Sequence, residues 1–144
     1  MILRPMNEKD ICEIAQIERE CFSEPTSEQG LRIYIDNENM KGLVLSSEQG
    51  VLAYCSFIAV CGEIQIVNLA THPEARRRGY ARKLLCGLIE TYKKIGFTSF
   101  SLEVRESNAA AISLYGSVGF RAVGIRVNFY KNPTENALLM ELNF

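Results

Sequence analysis

The chain has 144 residues, 47% of them hydrophobic and 23% charged, with a formal net charge of −1 and a sequence pI of about 5.9. That length suits one domain with room for a real core, and the composition is ordinary for a soluble globular protein. A chain so close to neutral is not built to hold nucleic acid through bulk charge, and no apolar run approaches the roughly 20 residues a membrane span needs. Met1-Ile2-Leu3-Arg4-Pro5 lacks the features of a signal peptide.

Ile2-Leu3-Arg4 reads as a short strand ended by Pro5. Residues 8–22 carry Ile11, Ile14, Ala15, Ile17, Cys21 and Phe22 close to helical spacing. Ser23 to Thr26 is a turn-rich break, after which Ser27 is placed to cap a second, weaker helix with Leu31, Tyr34 and Ile35. Gly30 lowers the propensity of that helix. Three strand-like runs follow, Gly42–Ser46, Val51–Val60 and Ile64–Thr71. The short breaks between them, Ser47–Gly50 and Cys61–Glu63, predict antiparallel hairpins.

The third run leads into Arg76-Arg77-Arg78-Gly79-Tyr80-Ala81, and a helix-like run, Tyr80 to Ile95, starts there. A loop entering a helix presents backbone N–H groups without intrahelical partners, and the helix dipole adds positive potential, so the position suits an anion. Gly79 has no Cβ to hold a phosphate away from the backbone, and Ala81 keeps the next turn slim. The arginines add charge that can clamp a polyphosphate. The helix places Ala81, Leu84, Leu85, Leu88 and Tyr92 on one stripe, with Glu90 and Lys94 as an exposed pair, and Gly96 ends it.

Thr98–Arg105 alternates, with Phe100, Leu102 and Val104 facing one way and Ser99, Ser101, Glu103 and Arg105 the other. Ser107 or Asn108 caps a short helix, Ala109–Val118, which Gly119 stops. Phe120–Tyr130 and Ala137–Phe144 are the final strands, joined across a loop containing Pro133. This order predicts a single α/β domain with a mixed sheet, in which the unit from Ile64 to Arg105 is a right-handed parallel crossover.

The five cysteines, Cys12, Cys21, Cys55, Cys61 and Cys86, are odd in number, form no C-x-x-C and have only His72 for company. Neither a disulfide framework nor a metal site is expected, and reduced thiols in a cytoplasmic protein are the simpler reading. Cys55 and Cys86 lie in apolar runs and are expected in the core.

The loop Arg76-Arg77-Arg78-Gly79-Tyr80-Ala81 matches [QR]-x-x-G-x-[GA], and in this respect the chain resembles the GCN5-related N-acetyltransferases (GNAT), whose loop of that pattern binds the pyrophosphate of acetyl-CoA. A second block, Leu102-Glu103-Val104-Arg105-x-Ser107-Asn108-x-Ala110-Ala111-Ile112-x-Leu114-Tyr115-x-x-x-Gly119-Phe120, is similar to the ribosomal-protein-alanine N-acetyltransferases of that family. The resemblance implies one GNAT domain over residues 1–144, with a mixed central sheet whose two parallel strands splay apart around the cofactor. It implies acetyl-CoA as cosubstrate, no metal, and the backbone around Leu69, Ala70 and Thr71 paired with the pantetheine arm. Arg76, Arg77, Arg78, Gly79, Tyr80, Ala81 and Arg82 would form the pyrophosphate loop, with Asn108 near the thiol end. Glu103 and Tyr115 take the family's positions of proton acceptor and proton donor.

By the same resemblance the acceptor is the N-terminal amine of a protein, such as ribosomal protein S18. It would enter between Phe22–Ser27 and Arg126–Glu135, where Tyr130 and Glu135 are candidates to receive it. The group often has an aromatic residue after the proline where Pro25 here precedes Thr26, and a tyrosine pair where Phe129-Tyr130 stands. A small amine or a lysine as acceptor, and a non-catalytic acetyl-CoA sensor, are the alternatives.

The chemistry can be weighed on its own. An α-amine with pKa about 8 is roughly a tenth neutral at pH 7, whereas a lysine near 10.4 is neutral in under one part in a thousand. An ordinary glutamate near pKa 4.3 takes that proton about 3.5 units uphill, roughly 5 kcal/mol, which favours transfer through water. A phenol near 10 gives its proton to a thiolate near 8.5 about 1.5 units uphill, so it hydrogen-bonds the sulfur first. The oxyanion is expected to lean on a backbone N–H of the Ile64–Thr71 strand.

Overall fold

The helices begin where a short polar side chain can satisfy a free N–H. In the computed structural model, which describes residues 1–144, Asn7 accepts from the N–H of Lys9 and Asp10 from the N–H of Asn7, forming a capping box on a single turn, Glu8–Asp10. Asp10 is also held by Arg4 through two hydrogen bonds of 2.7 and 2.8 Å. Helix α1 (Ile11–Cys21) continues from that turn. Helix α2 (Glu28–Asp36) starts at Ser27, whose hydroxyl accepts from the N–H of Gly30 at 3.0 Å. Helix α4 (Ala109–Val118) starts at Asn108, which accepts from the N–H of Ala111 at 3.1 Å. Helix α3 (Tyr80–Lys94) is the exception: its N-cap is Gly79, at φ +79°, and no side chain caps it.

The strands are β1 (Ile2–Pro5), β2 (Met40–Ser47), β3 (Gly50–Val60), β4 (Glu63–Thr71), β5 (Ser99–Arg105), β6 (Arg121–Tyr130) and β7 (Glu135–Asn143). They form one seven-stranded sheet in the order β1-β2-β3-β4-β5-β7-β6, and only β4 and β5 run parallel. The sheet is therefore mixed and the domain α/β, as expected. The alternation of β3 divides the core. Ala53, Cys55 and Phe57 join Leu84, Leu85 and Leu88 of α3 on one face, whereas Tyr54 meets Ile14, Ile17 and Leu31 of α1 and α2 on the other. Each fully buried Leu or Ile contributes about 1.5–3 kcal/mol.

Cys86 departs from its expectation and is exposed. On α3 the inward stripe is Leu84, Leu85, Leu88 and Ile89, so Cys86 falls on the outer side with Glu90, one turn on. Glu90 itself pairs with Lys94 at 3.2 Å. Cys55 is fully buried, and all five cysteines are free thiols. No helix is long and apolar enough to cross a membrane.

One irregularity positions the site. Strands β4 and β5 pair only over Glu63↔Ser99, Ile64↔Phe100 and Gln65↔Ser101. Past that point β4 stays with β3 and β5 stays with β7. Opposite β3, Ser56 faces Asn68 while Phe57 faces Ile66, so Val67 is an extra residue in β4. Such a bulge bends its strand and raises the local twist, which turns β4 away from β5.

Candidate active site

A cavity of about 490 Å³ occupies the opening between the separated strands. Its walls are Gln65–Leu69 of β4 and Leu102–Arg105 of β5, with Asn108, Ala111 and Tyr115 from the α4 side. Cys21–Glu24, after α1, and Phe129–Lys131, at the end of β6, form its mouth. The alternation of β5 decides what the cavity sees. Phe100, Leu102 and Val104 are buried, while Glu103 and Arg105, out of phase with them, keep partial exposure.

Glu103 retains 11% of its side-chain exposure, and its Oε1 lies 3.1 Å from Nε of Arg126, which is 55% exposed on β6. Tyr115 projects from the second turn of α4 and its ring packs at 5.8 Å from that of Phe120. Burial pushes the Tyr115 phenol well above its ordinary pKa, with the nearby Cys55 and Tyr130 acting in the same direction. The Tyr130 phenol is pushed up to about 12, by burial first and then by Glu103. Both phenols therefore stay protonated at neutral pH and act as hydrogen-bond donors.

Arg105 fastens the mouth. One guanidinium nitrogen donates to the carbonyl of Pro133 (2.9 Å) and to Glu135 (3.1 Å), and the other donates to Ser23 (3.2 Å) and to the carbonyl of Lys131 (2.7 Å). Its plane lies 4.7 Å from the ring centre of Tyr130. Glu135 also accepts the N–H of Ser107 at 2.7 Å, and these partners hold its pKa below the usual carboxylate range. Both carboxylate oxygens of Glu135 thus already hold a protein donor, Arg105 on one and Ser107 on the other.

The structure brings Glu103, Tyr115, Asn108 and Leu69 to one cavity. Ala70 instead sits in the core beneath α1 and α2, and the carbonyl of Thr71 accepts from the thiol of Cys21 at 3.5 Å. The loop Arg76, Arg77, Arg78, Gly79 is exposed beyond the cavity, with Arg77 in the left-handed region at φ +65°. It adjoins the cavity through Cys21, whose sulfur lies 3.1 Å from Nη2 of Arg76. Tyr80 packs on the core, Ala81 is half-buried, and Arg82 donates to Ser117 of α4. The first turn of α3 holds no acidic residue, and a Cβ placed on Gly79 would meet nothing within 4 Å. Open space thus lies beside Gly79 at the uncapped start of that helix, which suits a bound anion.

Sequence reasoning passed over Asn68, Arg105, Arg126 and Glu18. Glu18 carried a legible signal: a carboxylate four residues after Ile14 and three before Cys21, within the apolar stripe of its helix. It is fully buried.

Comparison with known proteins gives the family and the fold. A family model described as "Acetyltransferase (GNAT) family" matches residues 11–120. The chain is 35% identical over 140 residues to a [ribosomal protein bS18]-alanine N-acetyltransferase of Haemophilus ducreyi, covering 94% of each chain. The crystal structure of the ribosomal-protein-S18-alanine N-acetyltransferase from Escherichia coli superposes with a TM-score of 0.91 at 32% identity, over 99% of this chain and 92% of that one. Arabidopsis thaliana NAA60, crystallised with acetyl-CoA, shares the fold with a TM-score of 0.88 at 17% identity, over 99% of this chain and 98% of that one.

Proposed function

Since this chain belongs to the GNAT family of acetyltransferases, we propose that it transfers the acetyl group of acetyl-CoA to the N-terminal α-amine of a protein, ribosomal protein S18 being the acceptor its relatives' names point to. The observation that carries this reading is the meeting of Glu103 and Tyr115 in one cavity at the point where β4 and β5 part.

The residues present fit acetyl-CoA. The uncapped start of α3, open above Gly79 and free of acidic side chains, suits the diphosphate, with Arg76, Arg77, Arg78, Tyr80, Ala81 and Arg82 around it. The edge of β4 left by β5, running on through Leu69, Ala70 and Thr71, offers backbone groups to the amide-bearing arm, much as an added strand pairs with a sheet edge. Asn108, spent on capping α4 through its oxygen, keeps its amide N–H₂ for the thiol end. Acetyl-CoA supplies an activated thioester.

Glu103 accepts the amine proton through water, and its pairing with Arg126 engages Oε1, so Oε2 is the oxygen that serves. Tyr115 donates a hydrogen bond to the departing sulfur; burial raises its pKa and so makes it a weaker acid, and it passes its proton only as the amine loses one. A backbone N–H of β4 beyond the bulge stabilises the oxyanion. Five free thiols and a water-soluble cosubstrate suit the cytoplasm.

The test is thiol release from acetyl-CoA with a peptide beginning Ala-Arg, then with the same peptide blocked at its α-amine. Release with the free peptide alone supports the reading. Equal release with both transfers the assignment to a lysine side chain, and release with neither, despite tight acetyl-CoA binding, makes the protein a sensor.

A further inference from the structure

Of the two buried carboxylates, Asp10 is met by Arg4, whereas Glu18 on α1 has no cation beside it. Taking a lone carboxylate out of water costs several kcal/mol unless strong hydrogen bonds replace the lost hydration, and an apolar residue in the α1 stripe would carry no such cost. Glu18 is met instead by hydrogen bonds from two different elements. One oxygen accepts the backbone N–H of Thr26 at 2.7 Å, and the other accepts Nδ2 of Asn68 at 3.0 Å. The same Nδ2 lies 3.4 Å from the hydroxyl oxygen of Thr26, which closes the triangle.

What the two partners share is the cavity. Thr26 ends the segment whose Phe22, Ser23 and Glu24 line the mouth, and Asn68 belongs to the β4 wall, one residue past the bulge at Val67. Hydrogen bonds to an ionised acceptor are shorter and about twice as strong as neutral ones. A single carboxylate between these elements therefore fixes their separation more firmly than apolar packing, which tolerates sliding.

We propose that Glu18 is a positioning residue for acyl transfer, latching the segment 22–27 to the bulged wall of β4 and so setting the width of the acceptor entrance. This inference rests on the acceptor reading above. It gives Glu18 no contact with either substrate, because none of its surface is exposed.

The experiment is steady-state kinetics of Glu18→Gln and of Glu18→Gln/Asn68→Asp, with amide hydrogen exchange on both. An amide at position 18 still accepts from Thr26 but meets Asn68 only if that amide turns its oxygen inward, so the charge-assisted bonds become neutral ones; the second substitution returns an ionised acceptor to the pair. The acceptor KM of Glu18→Gln is expected to rise about tenfold, with kcat and the acetyl-CoA KM within about twofold and with faster exchange confined to residues 22–27. The double variant is expected to recover most of the loss. An unchanged acceptor KM, an equal rise in both KM values together with a lower melting temperature, or a failure of the double variant to recover would each overturn the proposal. If Glu18→Gln does not fold, Thr26→Pro removes both loop-side partners, the backbone N–H and the hydroxyl, and is held to the same KM and exchange outcomes. A wild-type enzyme that modifies no α-amine would sink the acceptor reading alone, and the exchange result then decides the latch: unchanged protection of 22–27 would overturn it.

Discussion

At the scale of single residues, the site depends on side chains whose surroundings differ from those of ordinary surface groups. Replacing Glu103 by Gln keeps shape and size but removes the proton acceptor. Turnover with an Ala-Arg peptide is expected to fall by about a hundredfold or more, the usual contribution of a general base, with acetyl-CoA affinity unchanged by calorimetry. A wild-type rate would remove Glu103 from the chemistry. Glu18 makes a separate prediction through stability. Burial raises its folded pKa above the usual 4.5, and the groups facing it, Thr26, Asn68 and the Tyr34 phenol, include no cation to reverse that shift. The folded state then holds the proton more tightly than the unfolded chain, so the stability due to this group grows as pH falls from the raised value toward the ordinary one. Glu18→Gln lacks this linkage. Any advantage in melting temperature that the variant has at pH 7 is expected to shrink on acidification through that window; a constant offset would mean that Glu18 titrates normally.

At the scale of elements, the opening between β4 and β5 follows from one inserted residue. Without Val67, Ser56↔Asn68 and Phe57↔Ile66 become successive pairs of a regular ladder, and β4 loses the bend that separates it from β5 beyond Gln65. Deleting Val67 is expected to leave a folded α/β domain by circular dichroism but to weaken acetyl-CoA at least about tenfold, or 1.4 kcal/mol. Wild-type affinity would show that the bulge is incidental. The two parallel strands and the helix between them were legible because each has its own periodicity: alternation in β5, a stripe in α3, a glycine at each end of the helix. The bulge was not legible, since an extra residue in a strand changes no local preference and is visible only against its partner. Cys86 was misread for a related reason, because an apolar run in a helix does not say which of its members face inward.

For the whole molecule, net charge and local charge point in opposite directions. The chain carries −1 overall, yet Arg76, Arg77, Arg78 and Arg82 stand around an uncapped helix start. Binding of acetyl-CoA is therefore expected to weaken steadily as salt rises past about 0.1 M, where the screening length falls to about 10 Å, although the protein as a whole does not attract anions. Salt-independent affinity in a calorimetric titration would mean that the arginines do not hold the phosphates. The family, the element order and the proton-transfer candidates were determined by the sequence alone, because the loop Arg76–Ala81 and the block Leu102–Phe120 are contiguous and their residue types are tied to local backbone geometry. Only the tertiary structure decided that Arg105 ties Ser23 to the turn before β7, that Glu135 serves that tie, that Arg126 meets Glu103, and that Glu18 joins α1 to Asn68. Those contacts link residues far apart along the chain, some 30 or more positions in most cases, and a distance set by packing several elements together leaves no trace in the local order of residues.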